Sequence, residues 1–211
     1  FCTNITDIKV TGSGDMPSIS CISGGDGNTY YVKGSNTPWG AVGYNNTHSI
    51  TVELSEGITS ISDYAFYGCD NLVRCNIPST MITIGASAFY NCTNLENMTL
   101  PAGLTRIKDY TFYNCSKWKL NDFTVPSTVT SIGKSAFRNC SSISGTLKIS
   151  DSTTLSVNCF NGCTGIKELV IPVSKMTEGY GRESSSSSYS MPFSNCSGIE
   201  TVRVTGSGDM P

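Results

Sequence analysis

The chain is poor in the groups that most enzyme chemistry uses. It holds one histidine, His48, in 211 residues, and only 14% of its residues are charged. A lone histidine removes most histidine-based dyads, although serine–lysine pairs and paired carboxylates stay open. The formal net charge is −2, so nothing is basic enough to grip nucleic acid or an anionic membrane surface. No apolar run approaches the length of a membrane-spanning helix, and no membrane insertion is expected. No signal peptide is visible. The chain opens at Phe1-Cys2 in mid-repeat, as a mature product or a fragment of something longer would. The acids are scattered, and Asp63, Asp70, Glu96 and Asp109 are expected on a solvated face. No phosphate-binding loop follows a strand. Neither Gly24-Gly25-Asp26-Gly27 nor Gly12-Ser13-Gly14-Asp15 has the alternating oxygen ligands of a calcium loop. No catalytic residue, metal or cofactor is assigned, and an enzyme is not expected.

What the chain does have is a repeat. Phe-x-x-Cys occurs at Phe66/Cys69, Phe89/Cys92, Phe112/Cys115, Phe137/Cys140, Phe160/Cys163 and Phe193/Cys196. The steps are 23, 23, 25, 23 and 33 residues. The step of 25 reflects two extra residues within Trp118 to Asp122, and the step of 33 reflects a serine-rich run. A period in this range marks a solenoid, whose units hide their apolar sides only by stacking on one another. Apolar pairs precede the first four of these Phe: Ile58/Ile61, Ile82/Ile84, Leu104/Ile107 and Val129/Ile132. Leu72, Leu95, Ile143 and Ile166 follow Cys69, Cys92, Cys140 and Cys163, and each rung closes on an apolar residue that proline often follows, as in Ile77-Pro78 and Leu100-Pro101. The alternation there suits a short strand that proline stops.

The residue before each Cys is Gly68, Asn91, Asn114, Asn139, Gly162 or Asn195. Gly and Asn best tolerate a left-handed backbone. This column therefore predicts a turn that ends a one-turn helix and sends the chain back toward the strand. The Phe column is expected to point inward as an aromatic stack. The Cys column is expected to be a ladder of buried thiols, because stacked side chains point the same way and cannot readily bridge. Cys21, Cys75 and Cys159 lie off the column and are the better-placed disulfide partners.

The pattern I-T-S-I-x-x-x-A-F-x-x-C-x-x-L-x-x-x-x-I-P resembles the BspA-like class of leucine-rich repeats (LRR), found in surface proteins of bacteria and some protists. The resemblance covers residues 50–172 well, with single rungs at 1–11 and 193–205. It implies a right-handed repeat solenoid, mainly β, with one parallel β-strand per rung of about 23 residues on the concave side. Short turns or 3-10 helices occupy the other side. It also implies adhesion or surface interaction without catalysis, and an extracellular or cell-surface location.

Taken in order, residues 1–17 are the end of a rung plus the joint Gly-Ser-Gly-Asp-Met-Pro. Residues 18–49 break the register with glycine clusters around Thr29-Tyr30-Tyr31-Val32. They are either degenerate rungs or an inserted β-hairpin, the latter being favoured. Their Tyr30, Tyr31, Trp39 and Tyr44 are candidate binding residues, against the alternative of a small local core. Residues 50–172 hold five regular rungs, 173–192 a serine-rich loop insertion, and 193–211 a final rung. That rung ends on the same joint: residues 12–17 recur identically as 206–211, and Cys2–Thr11 aligns with Cys196–Thr205, at a constant offset of 194. A cloning scar is the alternative, since Gly-Ser-Gly fits one, but a scar would not be preceded twice by a matching rung, so the favoured reading of the 211 residues is one 194-residue period plus an overlap.

The expected function is a non-enzymatic structural segment of a long extracellular LRR array or filament, self-associating end to end. A surface adhesion module that holds a protein or glycan on its concave face or aromatic insert is the other reading. N-glycosylation sequons stand at Asn4, Asn45, Asn91, Asn97, Asn114, Asn139 and Asn195. Asn91, Asn114, Asn139 and Asn195 share the turn column, so their glycans would line one edge of a rod. Peptide mass spectrometry of native material should find glycan on at least two of these four, and unmodified asparagine at all four would refute the stripe.

Overall fold

The computed structural model describes residues 7–15, 22–23, 29–30, 49–176 and 191–206. In chain order the strands are β1 (Asp7–Val10), β2 (Gly14–Asp15), β3 (Ile22–Ser23), β4 (Thr29–Tyr30), β5 (Ile50–Leu54), β6 (Ile58–Ile61), β7 (Leu72–Asn76), β8 (Thr83–Ile84), β9 (Arg106–Ile107), β10 (Leu120–Asn121), β11 (Ser131–Ile132), β12 (Ile143–Lys148), β13 (Thr154–Leu155), β14 (Ile166–Pro172) and β15 (Thr201–Thr205). A 3-10 turn at Val173–Met176 is the one helical element among the described residues.

The strands stack in two parallel columns. The first runs β1-β5-β7, passes through the Arg74↔Asn97 bridge, and continues as β10-β12-β14-β15. The second runs β2-β6-β8-β9-β11-β13. Register advances by whole rungs: Ile84 pairs with Ile61 and with Ile107, and Ile132 with Ile107 and with Leu155. The fold is thus a parallel-stranded β solenoid of the expected kind, with a second short strand in each rung from β1 to β12 and the 3-10 turn in its place after β14. That second strand comes from the apolar pair before each Phe, where one residue differs from expectation. Met81, fully buried, fills the column with Ile58, Leu104 and Val129, while Ile82 is 47% exposed. Ile82 lies one residue past the column, so its N–H and C=O bond to the neighbouring rungs at Thr59 and Thr105 while its side chain points outward.

Both irregular segments lie between rungs that touch. Asp7–Val10 pairs directly with Thr51–Leu54, and β14 pairs directly with β15. The described part of residues 18–49 contains one antiparallel pair, Ile22↔Tyr30 and Ser23↔Thr29, unlike the parallel rungs.

A third ladder runs along the Phe side and contains no strand. The N–H groups of Phe66, Phe89, Phe112, Phe137 and Phe160 each donate to a carbonyl of the next rung at 2.7–2.8 Å. Those of Gly68, Asn91, Asn114, Asn139 and Gly162 do the same at 2.6–2.9 Å. These last five, with Asn195, have φ between 57° and 77°, as the Gly/Asn column predicts. A second left-handed column precedes it by four residues, at Tyr64, Ser87, Tyr110, Ser135 and Asn158, with φ from 52° to 62°. Left-handed backbone costs a Ser or Tyr roughly 1–2 kcal/mol. Here the conformation aims the N–H of Tyr64, Ser87, Tyr110 and Ser135 at carbonyls of the next rung, 2.8–3.1 Å away. Bracketed by two such residues, the segment Ala88–Tyr90 has room for one turn and no more. The expected one-turn helix is therefore a pair of overlapping turns, Tyr90 N–H to Ser87 O and Cys92 N–H to Phe89 O.

The phenylalanines form the aromatic stack. Centroid separations from Phe66 through Phe89, Phe112, Phe137, Phe160 and Phe193 are 5.1, 5.5, 5.3, 5.0 and 5.6 Å. Trp118 takes the Leu72/Leu95 position, is fully buried, and donates its indole N–H to Met98 O at 2.8 Å. The extra residues of that rung are absorbed at Asp122, whose φ is 51° and whose Oδ1 accepts the Thr146 N–H at 2.8 Å.

Phe112 lies between Phe89, Phe137 and Trp118 with no exposure. Phe112→Ala should cost about 3–5 kcal/mol in denaturant unfolding. A loss well below that range would mean that the ring stack is not the core.

Candidate interaction surface

The Cys column is interior and chemically quiet. Cys92, Cys115, Cys140, Cys163 and Cys196 donate through Sγ to the carbonyl of Phe66, Phe89, Phe112, Phe137 and Phe160, at 3.0–3.1 Å. Each acceptor lies one rung earlier. Cys69, at the start of this series, is half-buried. Burial is the main cause that raises these thiols, pushing Cys140 up to about 12 and Cys92, Cys115 and Cys163 well above the ordinary value. Cys75 and Cys159 are not disulfide-bonded, contrary to expectation: both are free, buried thiols raised by desolvation. Being off the column makes them additional small apolar side chains of the same core. Cys2 and Cys21 lie outside the described residues.

The acids expected on a solvated face are partly structural. Asp63 Oδ1 accepts the Ala86 N–H at 2.7 Å and meets Lys108 Nζ at 3.1 Å. Asp109 Oδ1 accepts the Lys134 N–H at 2.8 Å. Both carboxylates thus cap a backbone N–H one rung further on. Glu96 pairs with Lys119 at 2.9 Å, a hydrogen bond that holds its carboxyl below the usual range.

The sequon residues are not alike. Asn91, Asn114 and Asn139 are half-buried, and Asn114 Nδ2 donates to Asn91 Oδ1 at 3.0 Å. Asn195 and Asn97 are exposed. Asn4 and Asn45 lie outside the described residues, as do Tyr31, Trp39 and Tyr44, and Tyr30 is described only as backbone in β4.

An unforeseen aromatic surface lies on the turn side. The residue after each Phe is Tyr67, Tyr90, Tyr113, Arg138, Asn161 or Ser194. The three tyrosines stack at 4.7 and 4.6 Å with rings 5° from parallel, and Arg138 lies 5.9 Å from the Tyr113 ring centre. Tyr64 and Tyr110 tilt against Tyr67 and Tyr113, and Lys134 sits 6.0 Å from the Tyr110 ring. All five tyrosines are half-buried. The sequence carried the signal, since the column is one step from the Phe that sets the register. On the strand side a shallow cleft lined by Arg74, Asn76, Asn97 and Thr99 marks the rung that contributes only a bridge.

The last rung is open to solvent. In β15 every residue but Val204 is exposed, and Val202 is 53% exposed although it pairs with buried Leu169. Arg203 reaches Glu168 at 2.9 Å. At the other end Ile8 and Val10 pack against the core, and Lys9 meets Glu53 at 3.6 Å. Among the described residues, no three His, Cys, Asp or Glu side chains cluster as a metal site, and no helix is long and apolar enough to cross a membrane.

Stacked 23-residue rungs with parallel strands and an inward Phe/Leu column define a leucine-rich-repeat protein. The BspA type leucine rich repeat region matches this chain in six copies, over residues 40–167 and 117–208, and the chain belongs to that family. Two crystal structures share the fold. One is the leucine-rich repeat protein TpLRR of T. pallidum: TM-score 0.58, 24% identity, covering 74% of this chain and 69% of that one. The other is a leucine-rich repeat protein of Eubacterium ventriosum: TM-score 0.58, 25% identity, covering 78% of this chain and 39% of that one. This chain therefore spans well under half of the Eubacterium protein. No curated protein matches the chain in sequence.

The thiol geometry generates a measurable outcome. At neutral pH a thiol reagent should leave the buried cysteines of the native protein unmodified and label them once denaturant is added. A thiol raised in the folded state contributes stability that is complete below its unfolded value, near 9, and lost as pH climbs toward 12. The denaturation midpoint should accordingly fall from about pH 9 upward. Rapid labelling of Cys115 or Cys140 without denaturant would contradict the ladder.

Proposed function

We propose that this chain is one period of a non-enzymatic, extracellular array in which 194-residue units stack end to end. The observation that carries the reading is the repeated joint. Residues 2–17 return as 196–211, and the described parts of the two copies form the first and last rungs of the stack. The partner in this reading is another copy of the same unit. Open strand edges favour such pairing, and the exposed Val202 supplies an apolar surface that gains from cover. The family resemblance and the sequons support a surface or extracellular location, with glycan on the exposed Asn97 and Asn195 as the best-placed additions.

A second reading has its own observation. The tyrosine ladder with Lys134 and Arg138 is a half-exposed aromatic and cationic strip, the kind of surface an adhesion module presents to a protein or glycan. The two roles are compatible, because the ladder lies along the side of the rod and the joint at its ends.

Electron microscopy of native material tests the array. From β1 to β15 the first column advances seven rungs. At about 4.8 Å per rung the axial repeat should be about 34 Å. Filaments with that repeat are the expected result. Discrete short particles would overturn the array and leave the adhesion module.

A further inference from the structure

The two copies of the joint strand use opposite edges. Asp7–Val10 is equivalent by sequence to Thr201–Val204: Ile8 corresponds to Val202, Lys9 to Arg203 and Val10 to Val204. Gly12 and Gly206 correspond as well, and both have positive φ, 138° and 102°. Yet β1 is paired with the strand that follows it, β5, whereas β15 is paired with the strand that precedes it, β14. Each end of the described stack therefore displays one half of the neighbourhood of a single element.

Resting on the array reading, we infer that these are the two halves of one joint. The edge of β15 that no described strand occupies receives the Ile50–Leu54 strand of the following period, in the register that β1 uses on β5. Superposing the halves gives the joint its composition. Val202 sits between Leu169 of its own period and Val52 of the next, and Val204 between Ile171 and Leu54. On the outer face Arg203 sits between Glu168 of its own period and Glu53 of the next, since Arg203 already pairs with Glu168 and Lys9 already pairs with Glu53. The loop contributes too. Val10 O accepts the Ser55 N–H at 3.0 Å, and Gly14 N–H donates to Gly57 O at 2.8 Å. Gly12 exchanges hydrogen bonds with the Ser55 hydroxyl. The duplicate carries the same residues, Val204 and Gly206, at the positions of Val10 and Gly12.

Apolar cover supplies the adhesion and charge supplies the register. Ion pairs this exposed contribute little to stability. However, a one-residue slip would turn Val202 outward and Arg203 into the core, and would separate the arginine from both glutamates. The joint also limits its occupant. A separate chain that has its own first strand already holds Asp7–Val10 on the edge of β5. The matching edge is free only in a period that continues the same chain after Pro211, so the copies stack in cis.

The test is zero-length carbodiimide coupling, which condenses a lysine amine with a touching carboxylate. The protein carries residues 18–211 a second time after Pro211, with Arg203→Lys in the first period so that positions 9 and 203 have the same amine. Peptide mass spectrometry should find Lys9 joined to Glu53, and the new amine joined both to Glu168 and to Glu53 of the second period. The 211-residue chain with Arg203→Lys, at the same concentration, should give the first two products and not the third. Coupling to Glu168 without coupling to the second period's Glu53 would overturn the joint, and absence of the Lys9–Glu53 product would overturn the register from which it is copied. The array fails separately: discrete native particles with the third product present would remove the array and keep the joint geometry. Filaments without that product would keep the array and require another joint.

Discussion

Each turn of this rod leaves a phenylalanine carbonyl inside the core, where no water can reach it. An unpaired buried carbonyl is costly, and its two lone pairs set what may surround it. Phe89 O accepts the Cys92 N–H of its own turn at 3.2 Å and the Cys115 Sγ–H of the next rung at 3.1 Å. The same pair of bonds recurs at Phe66, Phe112, Phe137 and Phe160. The position therefore needs a side chain that is small, content in an apolar interior, and able to donate weakly. Cysteine meets all three conditions. One requirement thus accounts for the unpaired thiols, their raised pKa values and the regular spacing of the sulfur column.

The interior columns were legible because a solenoid repeats its contacts as well as its residues. Phe, Cys and the Gly/Asn position each recur with the period, and each has a side-chain property that names its place: bulk, small size, tolerance of left-handed backbone. Legibility ended where neighbouring positions compete. Ile82 and Met81 are adjacent and both apolar, and only the pleat decides which one faces in. The second left-handed column was hidden because Ser and Tyr do not advertise that conformation. It is imposed by the N–H that must reach the next rung. Asp63 and Asp109 read as surface charge because their acceptors' partners, backbone N–H groups of Ala86 and Lys134, carry no sequence signature. Cys75 and Cys159 show the opposite error, in which a chemical habit of cysteine outweighed the simpler fact of burial.

The outer face follows different rules from the core. The residue after each Phe is free to vary, and it changes along the rod from three stacked tyrosines to Arg138, Asn161 and Ser194. A fixed interior thus carries a graded exterior. Glycines hold the rung spacing. A β-carbon on Gly85 would lie 2.4 Å from the backbone of the preceding rung, and one on Gly133 would lie 2.4–2.5 Å from Asp109 and its backbone. Rungs can therefore exchange surface residues without moving apart.

The ladder on the Phe side has one further property. From Phe66 to Phe160, and from Gly68 to Gly162, every N–H in it points to the rung that follows. Peptide dipoles aligned in this way add along an axis, as they do in a helix. Along this face one end consequently presents donors and the other acceptors, while in the second strand column the N–H groups of Ile82, Thr105, Thr130 and Thr154 point to the preceding rung. The two faces of the rod therefore carry opposed polarity, and each face by itself has unlike ends.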